Sequence, residues 1–284
     1  MVTRQLGSLV ARGNTSDVYS WGPGAVVKVL RLGIPDVWAI REAQTTRLVH
    51  AAGLPAPAVL DQVTVEGRPG IVFERITGAS MWGQMLETPK DIPSLSLVLA
   101  EMQAEINTTS APAGLPRLSE RLHENIEKVE VLSTMERNVA LSELRRLPGG
   151  DALCHFDLHP NNVLMGPTKP VIIDWFDAAA GNPVADIVRS SVLMRQDAAD
   201  GHLDCVDPSI ISRVHDEYLE CLVRTRDVDY DVLLRWEPPV LASRLAEPLP
   251  DNALVSTREA WRALHSVDGS SRLASSLRPL RSVS

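Results

Sequence analysis

The run His155-Phe156-Asp157-Leu158-His159-Pro160-Asn161-Asn162, followed by Val171-Ile172-Ile173-Asp174, concentrates the residues of this chain that could do chemistry. Two carboxylates and an amide oxygen converging from two neighbouring segments suit a hard divalent cation. Mg²⁺ takes oxygen ligands, keeps several waters, and needs only one or two protein carboxylates when a polyphosphate supplies the rest. In that arrangement Asp174 and Asn162 hold the metal. Asp157 takes the other role, orienting a hydroxyl and accepting its proton as a bond to phosphorus forms. Phosphoryl transfer asks for little covalent work and much positioning and charge compensation, so a few such side chains suffice to specify it.

His155, Asp157, Leu158 and Asn162 follow the spacing of the kinase catalytic loop, H-R-D-L-x-x-x-N, with the second aspartate placed after an apolar strand. Two rival readings exist. Cys154, His155, Asp157 and His159 could be zinc ligands, although alternation along an extended chain points neighbouring ligands apart. The segment could also be a solvated loop, which would leave the pattern to chance. Upstream, Val26-Val27-Lys28 resembles a strand lysine that pairs nucleotide phosphates, and Glu42 on the next helix is its candidate partner. The turn Gly13-Asn14-Thr15-Ser16-Asp17 lies where a phosphate-covering loop belongs. It has a single glycine, so backbone N–H groups and the Thr15 and Ser16 hydroxyls would make the contacts.

The elements that must position these groups fall into two sets. Leu6 to Ala11, Asp17 to Trp21 and Ala25 to Arg31 read as a three-stranded meander broken by Gly13-Asn14 and Gly22-Pro23-Gly24. A helix follows over Val37 to Ala51, stopped by Gly53-Leu54-Pro55, and then strands over Ala58 to Val65 and Pro69 to Glu74. Beyond a hinge at Thr77-Gly78 the pattern turns helical over Leu95 to Ile106 and Leu118 to Leu147. Short strands at Ala152 to Cys154, Val163 to Met165 and Val171 to Ile173 surround the polar loop. Helices are then expected near 183–196, 208–224, 229–235, 239–246 and 252–266. This gives an α+β protein of two lobes, a nucleotide-binding lobe over 1–77 and a catalytic and substrate-binding lobe over 78–267, with a flexible tail over 268–284.

The chain has 284 residues, of which 28 are Lys or Arg and 36 are Asp or Glu, for a formal charge of −8. That balance argues against nucleic acid as a partner, whose phosphates call for clustered basic side chains, and is compatible with a small cationic one. Three cysteines, Cys154, Cys205 and Cys221, make neither a disulfide framework nor a CxxC zinc pair. With no apolar signal segment and no membrane-length apolar run, a cytoplasmic location is expected, and no membrane or protein partner.

From about Leu6 to Glu247 the chain resembles the aminoglycoside phosphotransferase and choline kinase-like family, which has a protein kinase-like fold with a small antiparallel-sheet N-lobe and a larger, mainly helical C-lobe. The resemblance rests on His155 to Asn162, Ile173-Asp174-Trp175, and Gly181-Asn182-Pro183 with Asp186. It extends to Arg41-Glu42-Ala43 through Gly53-Leu54-Pro55-Ala56-Pro57. It implies ATP- or GTP-dependent, Mg²⁺-assisted phosphorylation of a small-molecule hydroxyl, with the base held by backbone groups near Glu74 and Ile76. Departures are Phe156 between the histidine and the aspartate, Asn161 before the metal asparagine, and the lack of a histidine near the end of the helix Leu97 to Asn107. They remove no catalytic group and blur the subfamily.

In this family the acceptor lies between the catalytic loop and the C-terminal helices. That region is acidic here, with Asp197, Asp200, Asp204, Asp207, Asp216, Glu217, Glu220, Asp227, Asp229 and Asp231. Trp236 and Glu247, flanking an expected helix start at Pro238-Pro239, and Asp177 with Trp175 are the candidate acceptor contacts, and Asp186 is expected to brace the catalytic loop. A cationic antibiotic is the leading acceptor. The alternatives are a metabolic kinase acting on choline, homoserine, a sugar or a fructosamine, and a pseudokinase that binds without catalysis.

Overall fold

Strands β1 (Leu9–Arg12), β2 (Ser16–Ser20), β3 (Ala25–Leu30), β4 (Val59–Val65) and β5 (Arg68–Glu74) form one antiparallel sheet in the order β1-β2-β3-β5-β4. The structure is a computed structural model and describes residues 6–200, 207–226 and 228–265. Gly22 and Gly24 link β2 to β3 at φ 72° and 71°, a conformation open to a residue without Cβ. Helix α1 (Val37–Ala51) covers one face of the sheet. The period-2 alternation of β3 decides what faces it. Ala25, Val27 and Val29 pack with Trp21, Val65 and Val72 on the far side. Leu30 packs with Ala39, Ala43, Ile71 and Phe73 on the near side, and Lys28 shares that parity.

The chain divides into two compact units, Met1–Gly83 with Pro160–Ala178, and Gln84–His159 with Ala179–Ser284. The division differs from a single hinge at Thr77-Gly78. The hairpin of β7 (Val163–Met165) and β8 (Pro170–Ile172) belongs with the sheet, because Ile172 N–H donates to Pro55 O at 2.7 Å and Met165 N–H to Ala79 O at 2.8 Å. Gly78 permits this approach, since a Cβ there would lie 2.0 Å from Met165 O. Helix α2 (Met81–Glu87), absent from the sequence reading, runs across the division.

The second unit holds β6 (Ala152–Cys154) paired with β9 (Ala179–Gly181), and helices α3 (Ile92–Thr108), α4 (Leu118–Lys128), α5 (Thr134–Leu144), α6 (Pro183–Asp200), α7 (Pro208–Arg226), α8 (Tyr230–Arg244) and α9 (Asp251–Leu264). Two expectations need correction. The helix read over Leu118 to Leu147 is two, because Ser133 and Glu136 make a reciprocal capping box that starts α5 afresh. The helices read at 229–235 and 239–246 are one. Pro238 and Pro239 lie inside α8, where the burial of Leu233, Trp236, Glu237, Val240 and Leu241 outweighs the lost N–H bonds. Asp204, Cys205, Asp227 and the tail 268–284 lie outside the described residues, as do the side chains of Asp197 and Asp200. No helix among the described residues is long and apolar enough to cross a membrane.

Candidate active site

Lys28 leaves β3 on the α1 side, and its Nζ lies 2.7 Å from Glu42 Oε1 and 3.1 Å from Asp174 Oδ1. Helical spacing puts Glu42 there, on the buried stripe of Ala39, Ala43 and Thr46. Burial works to lower the lysine pKa, but the charges of Asp174 and Glu42 outweigh it and hold the value above the ordinary one. Lys28 is thus a fixed cation. The same burial pushes the Glu42 carboxyl up, with Lys28 opposing and Asp174 reinforcing the shift.

Asp174 follows β8 in a left-handed conformation, φ 61° and ψ 60°, and heads a 3-10 turn over Trp175–Asp177. Such strain at a non-glycine residue costs on the order of 1 kcal/mol or more and persists where neighbours enforce it. Trp175 is fully buried and donates its Nε1–H to Ile172 O at 2.8 Å. Phe176 packs against Trp38 at 4.9 Å between ring centres with the rings tilted by 36°, and the Arg41 guanidinium lies 4.6 Å over the Phe176 ring. Asn162 closes the same corner, its carbonyl accepting the Ile173 N–H at 2.9 Å. A carboxylate from Asp174, whose side chain is 38% exposed, and an amide oxygen from Asn162 could hold one hard cation. Among the described residues no three His, Cys, Asp or Glu side chains form an all-protein cage. A site with few protein donors fits Mg²⁺ carried by phosphate.

The other residues expected at the nucleotide take varied positions. Gly13 N–H donates to Ser16 O at 2.8 Å and Arg31 N–H to Thr15 O at 2.9 Å, closing the β1–β2 turn. Gly13 is exposed and Thr15 half-buried, whereas Ser16 is buried at the start of β2. Glu74 accepts the Ala58 N–H at 2.8 Å and so ties the start of β4 to the end of β5, with the half-buried Ile76 just beyond. Asp177 is half-buried and its charge bears on Glu42. Trp175, offered as an acceptor contact, is core.

In the second unit Asp157 follows Phe156, a buried residue at φ 63°. Asp186, fully buried on α6, accepts hydrogen bonds from the backbone N–H groups of His155 at 3.2 Å and Phe156 at 2.6 Å. It also accepts from the amides of Gln103 at 2.6 Å and Asn107 at 2.7 Å. Burial pushes its carboxyl up to about 6 against these four donors. His155 Nδ1 accepts the Asp157 N–H at 3.1 Å, which leaves the proton of a neutral ring on Nε2. His159 Nε2 and Arg189 Nη2 each lie 4.0 Å from an Asp157 oxygen. Glu247 binds Arg189 at 2.9 Å and Arg244 at 3.1 Å. Trp236 is buried within α8.

Sequence reasoning missed Arg189, Gln103 and Asn107 here, and Trp38, Arg41 and Phe176 around Asp174. The one available signal was spacing, since Arg189 stands three residues after Asp186 on one helix face. The zinc alternative lacks a donor set among the described residues. His155 Nδ1 is turned to the Asp157 N–H, and among the described residues no three His, Cys, Asp or Glu side chains come together as a zinc ligand set. A second constellation, Ser191 Oγ to His215 Nε2 at 2.8 Å and His215 Nδ1 to Asp216 at 2.9 Å, has the order of a hydrolase triad. Ser191 and His215 are buried, so the chain of bonds ties α6 to α7 and presents no nucleophile.

An antiparallel sheet with a strand lysine bound to a helix glutamate and a post-strand aspartate, joined in one chain to a helical unit carrying the HxD loop, defines a kinase-like fold. Residues 8–204 match the model of the phosphotransferase enzyme family, and the chain belongs to that family; it is a phosphotransferase enzyme. The fold is shared with a thermostable mutant of the aminoglycoside phosphotransferase APH(4)-Ia in its apo form, with a TM-score of 0.57 and 16% identity over 95% of this chain and 92% of that one. It is shared with a choline/ethanolamine kinase family protein from Mesorhizobium loti, with a TM-score of 0.56 and 18% identity over 97% and 93%. A streptomycin–ATP ternary complex of APH(2")-IIa gives a TM-score of 0.55 and 16% identity over 92% of each chain. A search of curated protein sequences returned no match.

Proposed function

We propose that this phosphotransferase moves the γ-phosphoryl group of ATP or GTP to a hydroxyl of a small molecule, with an aminoglycoside-type antibiotic as the leading acceptor and resistance as the outcome. The observation that carries the reading is the buried Lys28 cation held between Glu42 and Asp174. Asp174 and Asn162 would hold Mg²⁺, which would supply charge compensation to the polyphosphate. Lys28 orients the phosphates, and Asp157 orients the acceptor hydroxyl and receives its proton. The O–P bond to the acceptor forms as the bond to the β-phosphate oxygen breaks, and the nucleoside diphosphate leaves. A solved neighbour that holds streptomycin and ATP together supports the acceptor class. Cys154 and Cys221 as free thiols are consistent with action in a reducing cytoplasm.

A small metabolic alcohol is the second reading, favoured by the choline/ethanolamine kinase neighbour and by Glu247 being bound to two arginines rather than open to a cation. The test is a panel of aminoglycosides, choline, ethanolamine, homoserine and sugars, with Mg-ATP or Mg-GTP, read as acceptor-dependent release of nucleoside diphosphate. Turnover of an aminoglycoside, with a raised inhibitory concentration in a sensitive host, supports the leading reading. Turnover of choline or another small alcohol alone moves the assignment to the second. No nucleotide binding by calorimetry overturns both.

A further inference from the structure

Asp186 and Arg189 stand one turn apart on α6 and grip opposite ends of a single residue. Asp186 accepts the N–H of Phe156 at 2.6 Å, and Arg189 donates its Nε–H to the carbonyl of Phe156 at 3.2 Å. Between these holds the backbone keeps φ at 63°, and the next residue is Asp157. The Arg189 guanidinium lies 5.4 Å from the centre of the Phe156 ring, its side chain is 3% exposed, and its Nη2 is 4.0 Å from Asp157 Oδ1. A buried guanidinium needs a carboxylate, and Glu247 answers with Oε1 and Oε2 each 2.9 Å from a terminal nitrogen. Arg244, at the end of α8, fixes Glu247 in turn at 3.1 Å.

We propose that Arg189, braced by Glu247, is the positioning residue that sets the carboxylate of Asp157 for the acceptor hydroxyl. The inference rests on the reading of Asp157 as the base and deepens it, and it removes Glu247 from the acceptor contacts. A planar fork is required for the task. Nε serves the Phe156 carbonyl while both terminal nitrogens face Glu247, and one of them also faces Asp157; an ammonium cannot satisfy these directions at once. Glu247 acts through Arg189 and bears on the rate of transfer rather than on acceptor affinity.

The test compares wild type, Arg189→Met, Arg189→Lys, Glu247→Gln and Asp157→Asn as full-length chains. The readout is steady-state transfer from Mg-ATP to the acceptor found by the panel, or to water where the panel finds none. Calorimetric Mg-ATP affinity and thermal unfolding report whether each variant is folded. Because misplacing a reacting group by about 1 Å costs on the order of 100-fold, Arg189→Met should lower kcat by roughly 30-fold or more while the KM values stay within about threefold. Arg189→Lys should recover roughly a fifth or more of the lost rate, as the charge returns without the fork. Glu247→Gln should lower kcat by about fivefold with acceptor KM unchanged, and should add little in the Arg189→Met background. A Glu247→Gln variant that raises acceptor KM at full kcat overturns the proposal, as does an Arg189→Met rate within about threefold of wild type. Should Arg189→Met not fold, Glu247→Gln and Arg189→Lys decide by the same split. Loss of transfer in Asp157→Asn with no effect at Arg189 sinks this inference alone. Full transfer in Asp157→Asn, or no turnover by wild type at all, sinks the base assignment and this inference with it.

Discussion

Replacing Lys28 by methionine removes the cation between Glu42 and Asp174 while keeping the length of the side chain. Both carboxylates lose their amine, at 2.7 Å and 3.1 Å, and they differ in surroundings. Glu42 is 4% exposed, and stripping one partner from a buried pair costs about 3–5 kcal/mol. The Asp174 side chain is 38% exposed, so water screens its share to under about 1 kcal/mol. The low end applies, and Lys28→Met should lose about 3 kcal/mol at pH 8. The sign of the pH dependence follows from Glu42. Burial already holds its folded-state pKa above the reference of 4.5, and Lys28 opposes that rise. Removing Lys28 lifts the value further, so near pH 5 the variant's Glu42 is protonated in the fold and costs little. The penalty relative to wild type then grows, by up to about 1.4 kcal/mol per unit, as pH rises through the raised wild-type Glu42 value toward the variant's still higher one. The assay is denaturant unfolding of wild type, Lys28→Met, Glu42→Met and the double variant at pH 5 and pH 8. The double variant, with an apolar pair in place of an ionic one, should recover most of the loss. A penalty equal at the two pH values, or a double variant costing the sum of the singles, refutes the reasoning.

Three further outcomes are expected. Asp157→Ala should abolish acceptor-dependent diphosphate release while calorimetric Mg-nucleotide affinity stays within about twofold, as removing a group that acts only in the transition state requires. Asp174→Asn should weaken Mg-nucleotide binding by tenfold or more on the order of one lost charge–metal contact, read by calorimetry with and without Mg²⁺. Asp186→Ala strands four donors, those of His155, Phe156, Gln103 and Asn107, and should cost about 3 kcal/mol or more in denaturant unfolding. Because ionising this buried carboxyl costs the fold between its reference of 3.8 and its raised value of about 6, the advantage of wild type over that variant should shrink as pH rises across that window.

What was legible in the chain was whatever a local pattern encodes. Helix α1 fell on Val37–Ala51 because a Pro start and a Gly-Leu-Pro stop bracket it, and β3 was readable because its apolar residues alternate. Asp157, Asn162 and Asp174 stood out because they sit close together in sequence with spacing that no packing demand produces. The break before α5 was also written locally, as Ser133 and Glu136, but an unbroken apolar period across it masked the cap. Pro238-Pro239 misled for the opposite reason. Local chemistry marks a helix boundary there, and only the packing of α8 on α4, α5 and α6 overrides it.

The region expected to meet the acceptor was the least legible, because charge in a sequence carries no record of its partner. Glu247 reads as an open carboxylate and is bound to Arg189 and Arg244. Glu237, on α8, is buried and paired with Arg195 from α6, an ion pair between residues far apart in the chain. Asp216 faces His215, while Asp207 and Asp229 accept backbone N–H bonds from Ser209 and Asp231 at helix starts. Of the acidic series that suggested a cation-attracting cleft, Asp207, Asp216 and Asp229 have these local structural duties, while Glu247, outside the series, is held at 2.9 Å by a guanidinium and projects little field beyond it. A formal charge of −8 therefore describes the chain as a whole. Around Asp157 cations are present as well as carboxylates, with His159 and Arg189 each 4.0 Å from it and Glu247 held by Arg189 and Arg244, so on the reading proposed above an acceptor there meets charges of both signs.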